Sequence, residues 1–205
     1  MILDRFNKFF LIPIVKIFIF LKIKPNHITL LGLVFAIVCC YLIFYGMWLT
    51  ASLILLLSGF FDMLDGAIAR YSNNTTLFGK FLDSFVDRIC ESLVLGSVLI
   101  YFIFKEESSI TAFLSYATIC SSIIVSYSRA RAESLGVKSN DGLMTRAPRV
   151  LSLTIGLLIF SFFQQTTILN LSIIDISLLL ITILSVFTII QRVLIVKNQT
   201  TSDSK

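Results

Sequence analysis

The sequence predicts an all-α integral membrane protein, with six transmembrane helices preceded by an N-terminal amphipathic interfacial helix. Three observations lead there. Of the 205 residues, 57% are hydrophobic and only 14% are charged, a balance that water-soluble domains do not have. Apolar runs approaching or exceeding the roughly 20 residues that a membrane helix needs recur along the chain. The 17 Lys and Arg residues gather on one side of the membrane that those runs define.

The first element spans residues 2–21. Arg5 and Lys8 precede an apolar run, as in a signal peptide, but Lys16, Lys22 and Lys24 interrupt the segment beyond them and no small-residue cleavage site is present. The expectation is a helix lying on the membrane surface and kept in the mature protein. Six spans are then placed at about 28–44, 49–69, 80–104, 110–130, 150–164 and 173–193, the third being apolar from residue 91 and extended back to Lys80. With the N-terminus in the cytoplasm, the basic residues around 70–80, 129–149 and 192–205 all fall on the cytoplasmic side. Only Lys105 lies outside. Cytoplasmic loops retain basic charge, so this asymmetry supports both the count and the direction, and puts both termini in the cytoplasm. The organisation expected is 1–24 as a juxtamembrane helix, 25–196 as one membrane domain and 197–205 as a short, frayed polar tail.

A net charge of +5 raises nucleic acid as a partner, but the basic groups border a membrane and form no soluble stripe. Anionic lipid headgroups or a phosphorylated substrate suit them, and no nucleic acid is expected. Cys39, Cys40, Cys90 and Cys120 sit in apolar segments without metal-ligand spacing and are read as small buried thiols.

The chemistry is carried by FFDMLDGAIARYSNNTTLFGKFLDSFVD, residues 60–87. Asp62 and Asp65 are three apart and Asp83 and Asp87 four apart, so on helices each pair projects from one face. The polar stretch from Ser72 to Thr76 reads as a turn, and two antiparallel helices would present all four carboxylates to one cavity. Four carboxylates that close do not all stay ionised without cations. Oxygen donors without His or Cys suit Mg²⁺, Mn²⁺ or Ca²⁺, and Mg²⁺ in particular shares its shell with substrate phosphates. The competing expectation pairs these aspartates with Arg70, Lys80 and Arg88 near a helix end. Gly66, Ala69 and Gly79 strip the same wall of side chains, and Arg70 beside it can meet a phosphate. His27, the one histidine, lies at a polar helix entrance next to Pro25 and Asn26 and is read as structural or interfacial.

The pattern Asp62-x2-Asp65-Gly66-x2-Ala69-Arg70-x8-Gly79-x3-Asp83-x3-Asp87 resembles the complete signature of the CDP-alcohol phosphotransferase family, with every fixed position filled. The resemblance implies a six-helix membrane enzyme, commonly a homodimer, that moves a substituted phosphate group from a CDP-linked lipid to an alcohol and releases CMP. Carried over by position, Asp62, Asp65, Asp83 and Asp87 would hold two divalent ions, Mg²⁺ or alternatively Mn²⁺, with Asp87 also the general base. Gly66, Arg70 and Thr76 would contact the nucleotide end of the CDP-lipid, and Asn26 and Thr29 in PNHIT resemble the family's further nucleotide contacts.

A second basic cluster concerns the acceptor. Arg129 and Arg131 in SYSRARAE, Arg146 and Arg149 in RAPR, and Arg192 all lie at expected cytoplasmic ends. If the helices bundle, these guanidiniums can form a pocket for an anionic acceptor, although the positive-inside rule alone also places Arg there. The RARAE run and the paired arginines resemble the subgroup making phosphatidylinositol phosphate or archaetidylinositol phosphate, in which these five residues would hold the phosphate of inositol 1-phosphate. The donor would be CDP-diacylglycerol or CDP-archaeol. Phosphatidylglycerol phosphate synthesis from glycerol 3-phosphate is the alternative within the family. A divalent-cation transporter is a distant alternative of another class, and it would want polar residues continuing across the bilayer.

Overall fold

The structure is a computed structural model that describes residues 12–72, 75–137, 142–168 and 170–202. Residues 2–11 of the expected interfacial helix and 203–205 of the expected tail lie outside the described residues. The elements are α1 (Ile12–Phe20), α2 (Pro25–Phe44), α3 (Trp48–Tyr71), α4 (Leu77–Phe104), α5 (Ser109–Ser134), α6 (Arg146–Phe162), β1 (Thr167–Ile168), β2 (Leu171–Ser172) and α7 (Ile173–Ser202).

Local chemistry sets the boundaries. Pro25 at the start of α2 gives up an N–H that would be unpaired anyway, and it holds Lys24 extended just before the helix. Gly46, at φ +71°, ends α2. Its N–H reaches the Ile43 carbonyl and the Met47 N–H reaches that of Leu42, a closure that needs a left-handed residue and favours glycine. Thr76 caps α4 by accepting from the Gly79 N–H at 2.9 Å. Ser172 and Asp175 cap α7 reciprocally. The Ser172 N–H donates to Asp175 Oδ2 at 2.8 Å and the Asp175 N–H donates back to Ser172 Oγ at 3.3 Å. The small β1–β2 hairpin before α7 was not foreseen. The polar residues after Val196 continue α7 instead of ending it, with Thr200 Oγ1 donating to the Val196 carbonyl at 2.8 Å.

Six helices close into a ring in which α2 packs on α3 and α4, α3 on α6, α6 on α7, α7 on α5 and α5 on α4. Ala36, Leu55, Val94, Val98, Leu157, Leu178 and Ile181 fill its centre. At one end Trp48 is wedged among Tyr101, Phe102 and Phe160, with centroids 4.7 to 5.8 Å from its own ring. Outward-facing Leu53, Leu56, Phe85, Ile123, Phe187 and Ile190 are exposed, an apolar perimeter that suits lipid. α1 carries one charge, Lys16, and seats Val15 against Leu64, Ala67 and Ile68 of α3.

Among the described residues four helices, α2, α3, α5 and α7, are long and apolar enough to cross a membrane, which makes this a multi-pass, all-α membrane protein. The other two expected spans fall short of that standard. The 28-residue α4 carries Lys80, Asp83, Asp87, Arg88 and Glu91 between its start and its middle, and α6, which opens on Arg146 and Arg149, has only 17 residues.

Candidate active site

Asp62 and Asp65 sit on α3 and Asp83 and Asp87 on α4, the two helices that α2 packs against. Asp62, Asp83 and Asp87 each offer a carboxylate oxygen, and these atoms all lie within 4.8 Å of one another. Oxygen donors converging so closely from two helices fit a hard divalent cation. Asp65, the fourth predicted ligand, borders the same space but is buried and turned towards α2, where its Oδ2 accepts from Thr29 Oγ1 at 2.5 Å. Three of the four are therefore gathered on one point, and the fourth is held one turn along α3.

The five residues expected to contact a CDP-lipid line one cleft. Asn26 and Thr29 of α2, Gly66 and Arg70 of α3, and Thr76 with Gly79 before and within α4 surround about 380 Å³, with Asp65 and Asp83 on its wall. Gly79 keeps this wall close to its neighbours. A Cβ on it would stand 3.0 Å from Thr76 Oγ1 and 3.3 Å from Asn26 Oδ1, so those side chains would have to give by a few tenths of an ångström.

The ion partner of the carboxylates is Arg146, not Arg70, Lys80 or Arg88. Its Nη1 lies 2.6 Å from Asp62 Oδ2 and 2.6 Å from Asp87 Oδ1. Arg88 instead folds back on its own helix and donates to the Ser84 carbonyl. The remaining acceptor arginines are divided. Arg129 is exposed and paired with Glu133 at 2.8 Å, and Arg131 is exposed one turn before the end of α5. Arg192 is buried and donates to the Val125 carbonyl at 2.5 Å. Arg149 is buried, with Nε and Nη2 on the two oxygens of Glu91 at 2.7 and 2.9 Å. Glu91 was not singled out from the sequence, although it follows Asp87 by one helical turn in an apolar run, which is itself a signal.

Residues 22–194 match the family model of the CDP-alcohol phosphatidyltransferases, and the chain belongs to that family of transferases. It is 32% identical over 183 residues to archaetidylinositol phosphate synthase of Methanothermobacter thermautotrophicus, covering 86% of this chain and 84% of that one. It is 29% identical over 183 residues to phosphatidylinositol phosphate synthase of Corynebacterium glutamicum, covering 88% and 80%. The fold superposes on the crystal structure of Mycobacterium tuberculosis phosphatidylinositol phosphate synthase with CDP-DAG bound. The TM-score is 0.80 at 26% identity, over 91% of this chain and 93% of that one. The same enzyme has a structure in complex with manganese and citrate, matched at a TM-score of 0.79 over 90% of this chain and 87% of that one.

Proposed function

We propose that this chain transfers the phosphatidyl or archaetidyl group of CDP-diacylglycerol or CDP-archaeol to a hydroxyl of inositol 1-phosphate, releasing CMP. The observation that carries it is the junction of two features. The cleft lined by Asn26, Thr29, Gly66, Arg70 and Thr76 has Asp83 on its wall, and Asp83 is one of the three carboxylates that converge with Asp62 and Asp87, so a nucleotide in the cleft would bring its pyrophosphate up to them. The relatives named for inositol phosphate products support the choice of acceptor.

In this reading Asp62, Asp65, Asp83 and Asp87 hold two Mg²⁺ ions, with Mn²⁺ as a substitute. The ions neutralise the pyrophosphate and stabilise the departing CMP. Asp87 takes the proton of the acceptor hydroxyl. The bond formed joins the acceptor oxygen to the lipid-bearing phosphorus, and the bond broken joins that phosphorus to the oxygen that leaves with CMP. Arg129, Arg131, Arg146, Arg149 and Arg192 form the basic set for the acceptor phosphate, with Arg146 nearest the reacting centre and Arg149, held by Glu91, behind it. The whole chain is read as six spans, with residues 1–24 at the interface and both termini and the site on the cytoplasmic side, assembled as a homodimer.

The test is CMP release by purified protein with Mg²⁺ and a CDP-lipid, comparing inositol 1-phosphate, glycerol 3-phosphate, free inositol and serine. Release with inositol 1-phosphate alone is expected. Release with glycerol 3-phosphate instead would keep the chemistry and replace the acceptor.

A further inference from the structure

Two ion pairs stack between α4 and α6 like rungs. The outer rung is Asp87 with Arg146, and the inner one is Glu91 with Arg149, one helical turn further along each helix. They differ in kind. Arg146 makes single contacts to Asp62 and Asp87 from a partly exposed position, its side chain 28% accessible. Arg149 and Glu91 are 2% and 9% accessible and joined through two parallel N–H to oxygen contacts, the geometry in which a guanidinium is most firmly oriented. Arg149 Nη1 also donates to the Met144 carbonyl at 3.0 Å, and the Met144 N–H donates to Thr188 Oγ1 of α7 at 3.0 Å. One carboxylate on α4 is thus linked to the turn from which α6 departs and, through it, to α7.

We propose that Glu91 is a positioning residue of the phosphotransfer site. By clamping Arg149, it fixes the rotation and depth of the α6 N-terminus, and so fixes Arg146 between Asp62 and Asp87. The inference rests on the proposed function only in treating these carboxylates as the reacting centre. Arg146 and a divalent cation draw on the same carboxylate oxygens, so whatever loosens Arg146 favours the cation. A pair that merely filled the core would have no such link to cation affinity.

The experiment measures Mn²⁺ binding to the purified full-length protein by electron paramagnetic resonance, with CMP release followed on the same preparations. Arg146→Ala should tighten Mn²⁺ binding by about threefold or more. Glu91→Gln should tighten it in the same direction and lower kcat with little change in the KM for CDP-lipid. Combined with Arg146→Ala it should add nothing to Mn²⁺ affinity. Glu91→Leu with Arg149→Met guards against misfolding, since it leaves no unpaired buried charge, and it should show the same tightening. Additive effects in the double variant, or a Mn²⁺ affinity unmoved by both Glu91 variants, would overturn the proposal. Wild-type protein that couples Glu91 to Mn²⁺ in this way yet releases no CMP with any acceptor would refute the proposed function and leave the positioning role standing.

Discussion

Arg146 Nη1 lies 2.6 Å from Asp87 Oδ1, which ties the fourth aspartate of the signature to a residue 59 positions later in the chain. A carboxylate so paired is oriented, and in the proposed reaction it is the base. Asp87→Asn keeps the shape and removes the proton acceptor, so CMP release should fall by about 10²-fold to 10⁴-fold. CDP-lipid binding, read by titration of the same variant, should be largely spared, and normal turnover would take Asp87 out of the role of base.

Thr29 donates to Asp65 at 2.5 Å across the α2–α3 contact. A hydrogen bond to a charged group is worth about 1.5–3 kcal/mol, so Thr29→Val should weaken the seating of Asp65 and raise the KM for CDP-lipid roughly tenfold or more. Thr29→Ser keeps the hydroxyl and should restore most of the loss. Equal KM values in the two variants would remove the contact from the site.

Gly79→Ala drives a methyl against Thr76 Oγ1 and Asn26 Oδ1, at 3.0 and 3.3 Å. The change disturbs the α4 cap, worth about 1 kcal/mol, and narrows the cleft proposed for the nucleotide. CDP-lipid affinity should drop while the KM for the acceptor stays close to wild type. Steady-state kinetics with each substrate varied in turn separates the two effects.

At the opposite end of the bundle, Trp48 is 2% exposed among Tyr101, Phe102 and Phe160. Trp48→Ala should cost about 3–5 kcal/mol and lower the midpoint of thermal unfolding in detergent. Protein that remains folded should keep its KM values, because no group of the site touches this ring.

The aspartates were legible in the sequence because carboxylates at helical spacing stand out in an apolar chain, and a local signature fixed the residues around them. Asn26, Thr29, Gly66, Arg70 and Thr76 were likewise found together in one cleft. The helices α2 to α7 fall close to where the apolar runs put them, but α4 and α6, read from the sequence as spans like the rest, are respectively more charged and shorter than the other four. The destination of Arg146 was hidden. It depends on how α6, packed on α3 and α7, reaches α4 through its side chains, a long-range packing choice that no local pattern encodes. The Glu91–Arg149 pair, separated by 58 residues, was missed on the same grounds, and the arginine run suggested only a pocket for an anion.

The charges of α4 also bear on how the chain enters a membrane. Inserting a central Asp or Arg costs about 2.5–3.5 kcal/mol each on biological scales, and α4 places Asp83, Asp87, Arg88 and Glu91 within three turns. Alone it would be a poor substrate for the insertion machinery. Its partners Arg146 and Arg149 are made later in synthesis, so the ion pairs of Asp87 and Glu91 can close only after α6 has been made. Burial of these two carboxylates is therefore a late event in the assembly of the bundle, by whatever route α4 reaches the membrane.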